Sequence, residues 1–357
     1  MKIKKSLKKN KKKRILLMAY KIVLLYIYNI YIIIMDYTKL VITLLVLLLV
    51  SFIYQKINDS NQKSQEIIDY DLVRSYLLDE TTLEKVKKPV LWVHIEYTIN
   101  ARKWKDFYSR NSYDLNQPYM YHTIKSIVDK CSADFHICLI DDKSIQKLIP
   151  SWEIDLCKVA NPLKSHLRTL AFAKILHKYG GILVPPSFIC FKSFKAIYDS
   201  VENNAIIVGE FISRNIINDK DNQSQIDKSQ VYLNSRLMGA KRESKMMAEY
   251  IKHLEYINSK NYTSSYDLLD LANTWLANKP DITSIPAKVI GVKDNDGNVM
   301  TIDRLMSENP VRLSSSNIGV YIPADELVKR NLYNWFVYLD KDDVLNANTL
   351  ISKYLQK

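Results

Sequence analysis

Short apolar runs alternate with amphipathic helical stretches from residue 89 to residue 357, which predicts an α/β domain with a mainly parallel sheet. An uncharged run from Leu40 to Gln55 predicts a transmembrane anchor in residues 35–57, ahead of that domain. Between them, residues 58–88 carry five basic and seven acidic side chains and read as a polar stem. A composition of 47% hydrophobic and 25% charged residues excludes a disordered or collagen-like chain. Only 7 Gly leave no room for Gly-rich phosphate loops.

The elements of the domain follow from local signals. Val90-Leu91-Trp92-Val93-His94-Ile95, after Pro89, is a first buried strand. Asp114-Leu115-Asn116-Gln117-Pro118 offers capping residues and a helix-starting Pro, and 121–131 continues the helix. Residues 135–140 form a second strand ending in Asp141-Asp142, read as a solvated helix N-cap, and 144–149 form a short helix stopped by Pro150. In the helix 165–179, Leu167, Leu170, Ala171 and Leu176 line one face and Gly180 supplies the stop. Residues 182–184 are a third strand cut off by Pro185-Pro186. A further strand is expected at 205–208, a helix at 244–257, and a hairpin over 289–301 around Asp294-Asn295-Asp296-Gly297.

The net charge of +13 belongs to a tail, because residues 1–34 hold ten Lys or Arg and no Asp or Glu. The basicity therefore gives no domain surface for nucleic acid. That basic and apolar segment has three readings: a second membrane helix behind a basic cytoplasmic end, an amphipathic surface segment, or sequence ahead of a native start at Met35. One span with the tail retained places the domain across the membrane from the tail, and two spans return it to the cytoplasmic side. The chain is expected at a membrane through Leu40 to Gln55 in either case.

Candidate chemistry is sparse. Cys131, Cys138, Cys157 and Cys190 contain no C-x-x-C pair, so they read as free thiols. The six His show no i, i+4 pair that would hold a metal. His94 reads as a satisfied core histidine, and Glu96 is a candidate general base just past the first strand. Trp92, Trp104, Trp152 and Trp335 read as core. Sequons at Asn58, Asn222 and Asn261 matter only for a lumenal or extracellular domain.

A resemblance enters at residues 167–194. Lys178-Tyr179-Gly180-Gly181-Ile182, preceded by an amphipathic helix and followed by a strand and Cys190-Phe191-Lys192-Ser193-Phe194, resembles the nucleotide-sugar-binding core of GT-A glycosyltransferases. The types meant are those with a sugar-binding region containing DxD and the capsular polysaccharide synthesis proteins. Asp141-Asp142 after a strand, and Val231-Tyr232-Leu233-Asn234-Ser235-Arg236-Leu237-Met238-Gly239-Ala240 downstream, match the family's order. The pattern from Trp92 to Leu355 also resembles glycosyltransferase-like proteins of large DNA viruses.

The resemblance implies a GT-A-like, Rossmann-like domain over 89–357, with Arg168, Gly180, Gly181, Ser187 and Asn234 at family positions near a nucleotide sugar. It also exposes departures. The Asp-x-Asp that would hold a divalent metal is replaced by Pro185, Pro186 and Ser187, and the family's helix Asp and Arg correspond to Arg168 and Ala171. Literal Asp-x-Asp occurs instead at Asp69/Asp71, Asp219/Asp221, Asp294/Asp296 and Asp340/Asp342. Of these, Asp294/Asp296 reads as turn chemistry, and only Asp219/Asp221 is a candidate near a donor. The expectation is no resident cofactor, no Mn²⁺ or Mg²⁺ site, and a nucleotide sugar only as a possible donor. A non-catalytic descendant that binds glycan or protein, or serves structurally, is favoured over a metal-independent glycosyltransferase.

Overall fold

The computed structural model describes residue 18, residue 21, residues 23–26, residue 45, and residues 47–53, 88–95, 117–149, 152–212, 231–260 and 265–357. The chain divides into two units, Met1–Asp69 and Tyr70–Lys357. In the first, residues 45 and 47–53 are helical, and their apolar side chains are each more than half exposed. Among the described residues no helix is long and apolar enough to cross a membrane. Glu96, Trp104, Asp69/Asp71, Asp219/Asp221 and the three sequons lie outside the described residues.

In the second unit a six-stranded sheet runs in the order β2-β1-β3-β6-β5-β7. Its strands are β1 (Val90–His94), β2 (His136–Ile140), β3 (Gly181–Val184), β5 (Ile206–Ile212), β6 (Val231–Ala240) and β7 (Ile282–Ile285). β1 pairs parallel with β2 and β3, and β5 pairs parallel with β7. β6 is antiparallel to both β3 and β5, so five strands share one direction and one opposes them. A separate ribbon joins β4 (Phe188–Cys190) to β8 (Gly319–Tyr321).

Period-two alternation sorts the strands' side chains onto two faces. Trp92, Ile140, Leu183, Val208 and Met238 face the helices Leu163–Tyr179, Lys245–Asn258 and Ser265–Ala277, where Leu170, Leu176 and Leu254 meet them. Leu91, Val93, Leu139, Ile182 and Leu237 face the opposite side, covered by Ile124 and Ile127 of helix α1 (Tyr119–Cys131). A third apolar cluster gathers C-terminal residues such as Ile302, Phe336 and Tyr354 around Ile189 and Val320 of the ribbon.

The local signals set most element ends. Helix α2 (Asp142–Leu148) begins on Asp141, whose Oδ1 accepts from the Ser144 backbone N–H at 2.7 Å in a capping box. Helix α3 (Leu163–Tyr179) ends at Gly180, whose φ of 69° lets its N–H donate to the Leu176 carbonyl at 2.8 Å. The next glycine, Gly181, has a φ of 106°, and a Cβ there would lie 2.1 Å from the Val90 carbonyl oxygen. This pair therefore admits the helix-to-strand turn against β1.

Two expectations need correction. Residues 289–301 reverse around Asp294–Gly297 as expected, but with one antiparallel bridge, Lys293 to Val299, and its flanking backbone bonds in place of two paired strands. Asp294 instead gathers the turn: its Oδ1 accepts from the N–H groups of Asp296 and Asn298, and Arg304 Nη2 donates to its Oδ2 at 2.8 Å. Backbone bonds also cross the turn, from the Asp294 N–H to the Asn298 carbonyl and from the Met300 N–H to the Val292 carbonyl, both at 2.9 Å, and the side-chain bonds close its tip. Trp335 is 44% exposed, not core, because it sits on a short 3₁₀ turn whose Phe336 and Val337 take the buried face.

Candidate functional site

In a parallel α/β sheet, ligands bind where the strands end. Across this sheet that edge runs from Asp142 after β2, through His94 at the end of β1 and Pro185 after β3, to the first half of β6. β6 is antiparallel, so its beginning lies at the edge where its neighbours finish. Leu183 pairs with Met238, the last matched pair between β3 and β6, and Arg236 lies two residues before Met238 on β6. Three strand spacings separate β2 from β6, about 14 Å.

At the β2 end, Asp142 gathers three basic side chains. Arg168 Nε donates to its Oδ1 at 2.8 Å and Arg168 Nη2 to its Oδ2 at 2.6 Å, a bidentate fork. His94 Nε2 lies 3.1 Å from Oδ1, and Lys164 Nζ lies 4.0 Å from Oδ2. The Asp142 and Arg168 side chains are each 14% exposed. Burial pushes the Asp142 carboxyl up, but hydrogen bonds from His94 and Arg168 outweigh it and hold it well below the usual carboxylate range. A carboxylate so committed is an ion-pair acceptor and not a general base. The His94 ring also packs 5.1 Å from the ring of Phe172 on α3.

At the centre, the turn after β3 is closed by the Phe188 N–H donating to the Pro185 carbonyl at 3.1 Å. Thr123 Oγ1 of α1 donates to the Pro186 carbonyl at 2.5 Å. The Ser187 hydroxyl is buried and donates to the Ile322 carbonyl at 2.8 Å. At the β6 end, Arg236 Nη1 donates to the Tyr321 hydroxyl at 2.8 Å and Nη2 lies 3.4 Å from Asp325 Oδ2. Tyr321, with Asp325, raises the proton affinity of that guanidinium against the opposing effect of burial.

The residues singled out from the sequence are dispersed. Arg168 lies at the strand-end edge, held by Asp142. Gly180 and Gly181 lie at the opposite edge, where β3 begins beside Val90, and the Gly180 carbonyl accepts from Trp92 Nε1 at 2.9 Å. Ser187 turns its hydroxyl inward. Asn234 is buried; its Oδ1 accepts from the Arg236 N–H at 2.9 Å and its Nδ2 donates to the Tyr232 hydroxyl at 3.1 Å. Of the Asp141-Asp142 pair, Asp141 is the expected N-cap, but Asp142 is an ion-pair centre. Lys164, Arg236, Tyr321 and Asp325 were not anticipated. For Arg236 a signal was present, a charged residue within an otherwise largely apolar strand.

A metal held as in the resembled family needs carboxylates after β3. Pro185 and Pro186 have none, and the Ser187 hydroxyl is spent on a backbone carbonyl, so these residues do not fit a divalent cation. No group of three or more His, Cys, Asp or Glu side chains converges among the described residues.

No protein-family model and no curated protein sequence matches the chain. Among solved structures, galactosyltransferase LgtC in complex with donor and acceptor sugar analogues matches with a TM-score of 0.30 and 9% identity, over 56% of this chain and 74% of that one. An active-site mutant of LgtC matches with a TM-score of 0.29 and 10% identity, over 56% and 73%. Overlap at that level assigns neither an activity nor a ligand to this chain.

Proposed function

We propose that residues 89–357 form a GT-A-like domain of glycosyltransferase ancestry that has lost metal-assisted transfer and serves as a non-catalytic binding domain at a membrane. The end of β3 carries this reading. Where the resembled family places two carboxylates, this chain has Pro185, Pro186 and a Ser187 hydroxyl donated inward to Ile322. Without those carboxylates nothing at that turn bridges a diphosphate to a cation. The Asp142–Arg168 fork supports the same reading, since it balances the strongest cation at the β2 end with a carboxylate. The mainly parallel sheet with helices on both faces is compatible with the ancestry. Membrane attachment is supported by the apolar run from Leu40 to Gln55, whose described residues are helical with exposed apolar side chains. A glycan or a protein is the partner class.

Arg236 favours a second reading, a metal-independent glycosyltransferase. Its guanidinium donates to the hydroxyl of Tyr321, whose strand pairs with β4 directly after the turn where a metal would otherwise balance the leaving diphosphate. Hydrolysis of nucleotide sugars by the full chain, with and without Mn²⁺, separates the two. No turnover in either condition is expected. Mn²⁺-independent turnover lost in Arg236→Met would establish the second reading, and Mn²⁺-dependent turnover would refute both.

A further inference from the structure

Two of the four cysteines touch. Cys131 is the last residue of α1 and Cys190 the last residue of β4, and their Sγ atoms lie 3.8 Å apart in the core. We propose that Cys131 and Cys190 are a disulfide-forming pair, joined when the domain folds under oxidising conditions and left as two shielded thiols under reducing ones. The sulfurs need to close by roughly 1.8 Å to reach bonding distance, a shift within reach of side-chain rotation. The two elements are already tied close by, because the Cys190 N–H donates to the Ser126 side-chain Oγ of α1 at 2.9 Å. The other cysteines serve as internal controls. Cys138 is buried, with its thiol pushed up to about 12 by that burial, and Cys157 is exposed.

The chemistry needs a small-molecule disulfide such as oxidised glutathione. The contact between the two sulfurs lowers the proton affinity of Cys131 and, with burial, raises that of Cys190, so the step is written with Cys131 as the attacking thiolate. Its thiolate forms a mixed disulfide and releases one glutathione thiolate. Cys190 then attacks the Cys131 sulfur, and the second glutathione leaves. Two protons pass to solvent and two electrons to the oxidant. Both sulfurs are buried, so the exchange belongs to folding or local opening. The bond would fasten α1 to β4 just after the Pro185–Ser187 turn, which Thr123 of α1 already holds. A domain facing an oxidising compartment would carry the bond and one facing the cytosol would not.

The test is to refold the full chain in detergent with mixed oxidised and reduced glutathione, alkylate it while denatured, and map its peptides without reduction. A cross-linked peptide joining Cys131 to Cys190, two hydrogens lighter than its parts, is expected, with Cys138 and Cys157 alkylated. Four alkylated cysteines, or a bond from either member to Cys138 or Cys157, would overturn the proposal. Cys190→Ser should lose the cross-link, and if that variant does not fold, the wild-type map alone decides.

Discussion

Replacing Asp142 with Asn leaves the Arg168 guanidinium, the His94 ring and the Lys164 ammonium facing one another without their shared anion. One arm of the fork, at 2.8 or 2.6 Å, is replaced by an NH2 facing the guanidinium, the other loses its charge, and side chains with little solvent around them cannot recover the loss from water. Removing one partner of a buried ion pair costs about 3 kcal/mol at the low end of the usual range, which suits a pair that retains slight exposure. For a domain of this size that is a fall in melting temperature of about 6 °C or more at neutral pH. The sign with pH follows from the depressed carboxyl. Its contribution is complete above the unfolded value of about 4 and is lost as pH falls toward the folded value, so variant and parent should converge in acid. Thermal melts of both proteins between neutral and acid pH provide the assay. A variant that melts within about 1 °C of the parent at neutral pH would refute the reasoning.

Gly181→Ala should fold poorly, because its Cβ would meet the Val90 carbonyl at 2.1 Å and φ is 106°; a cost above about 3 kcal/mol is expected, and a parent-like melt would contradict it. Ser187→Ala should cost about 1 kcal/mol in thermal or urea unfolding, for one buried hydrogen bond, and leave nucleotide binding unchanged. A loss of ligand binding without loss of stability would instead place that hydroxyl in the site. The full chain should stay with membranes through alkaline carbonate extraction, and its release into the supernatant would remove the anchor from the account.

What could be read ahead of the structure was what local chemistry controls. Pro89, the Asp141 cap, Gly180 and the Ser244 cap each stop or start an element within a residue or two of the expected place. The sequence of β6 resembles a family block but carries no period-two apolar signal of a strand. Asn234, Ser235 and Arg236 break its apolar pattern, and the strand is held by antiparallel pairing with β3 on one side and β5 on the other, with a register shift against β5 between Asn234 and Met238. The edge chemistry was less legible for the same reason. Asp142 and Arg168 are 26 positions apart, and Arg236 and Tyr321 are 85 apart, so both pairs exist only once the strands are ordered. Arg168 was expected to face a nucleotide sugar, and nothing local announced that Asp142 would hold it. Gly180 and Gly181, matched to a binding motif, have an immediate steric reason to be glycine at the opposite edge of the sheet.

The account turns on the absence of carboxylates after β3, and one titration addresses it directly. Uridine and guanosine diphosphates are titrated into the full chain by calorimetry, with and without Mn²⁺. The account predicts no metal-dependent binding. Tight binding that requires Mn²⁺, at roughly micromolar affinity or about −8 kcal/mol, would contradict it.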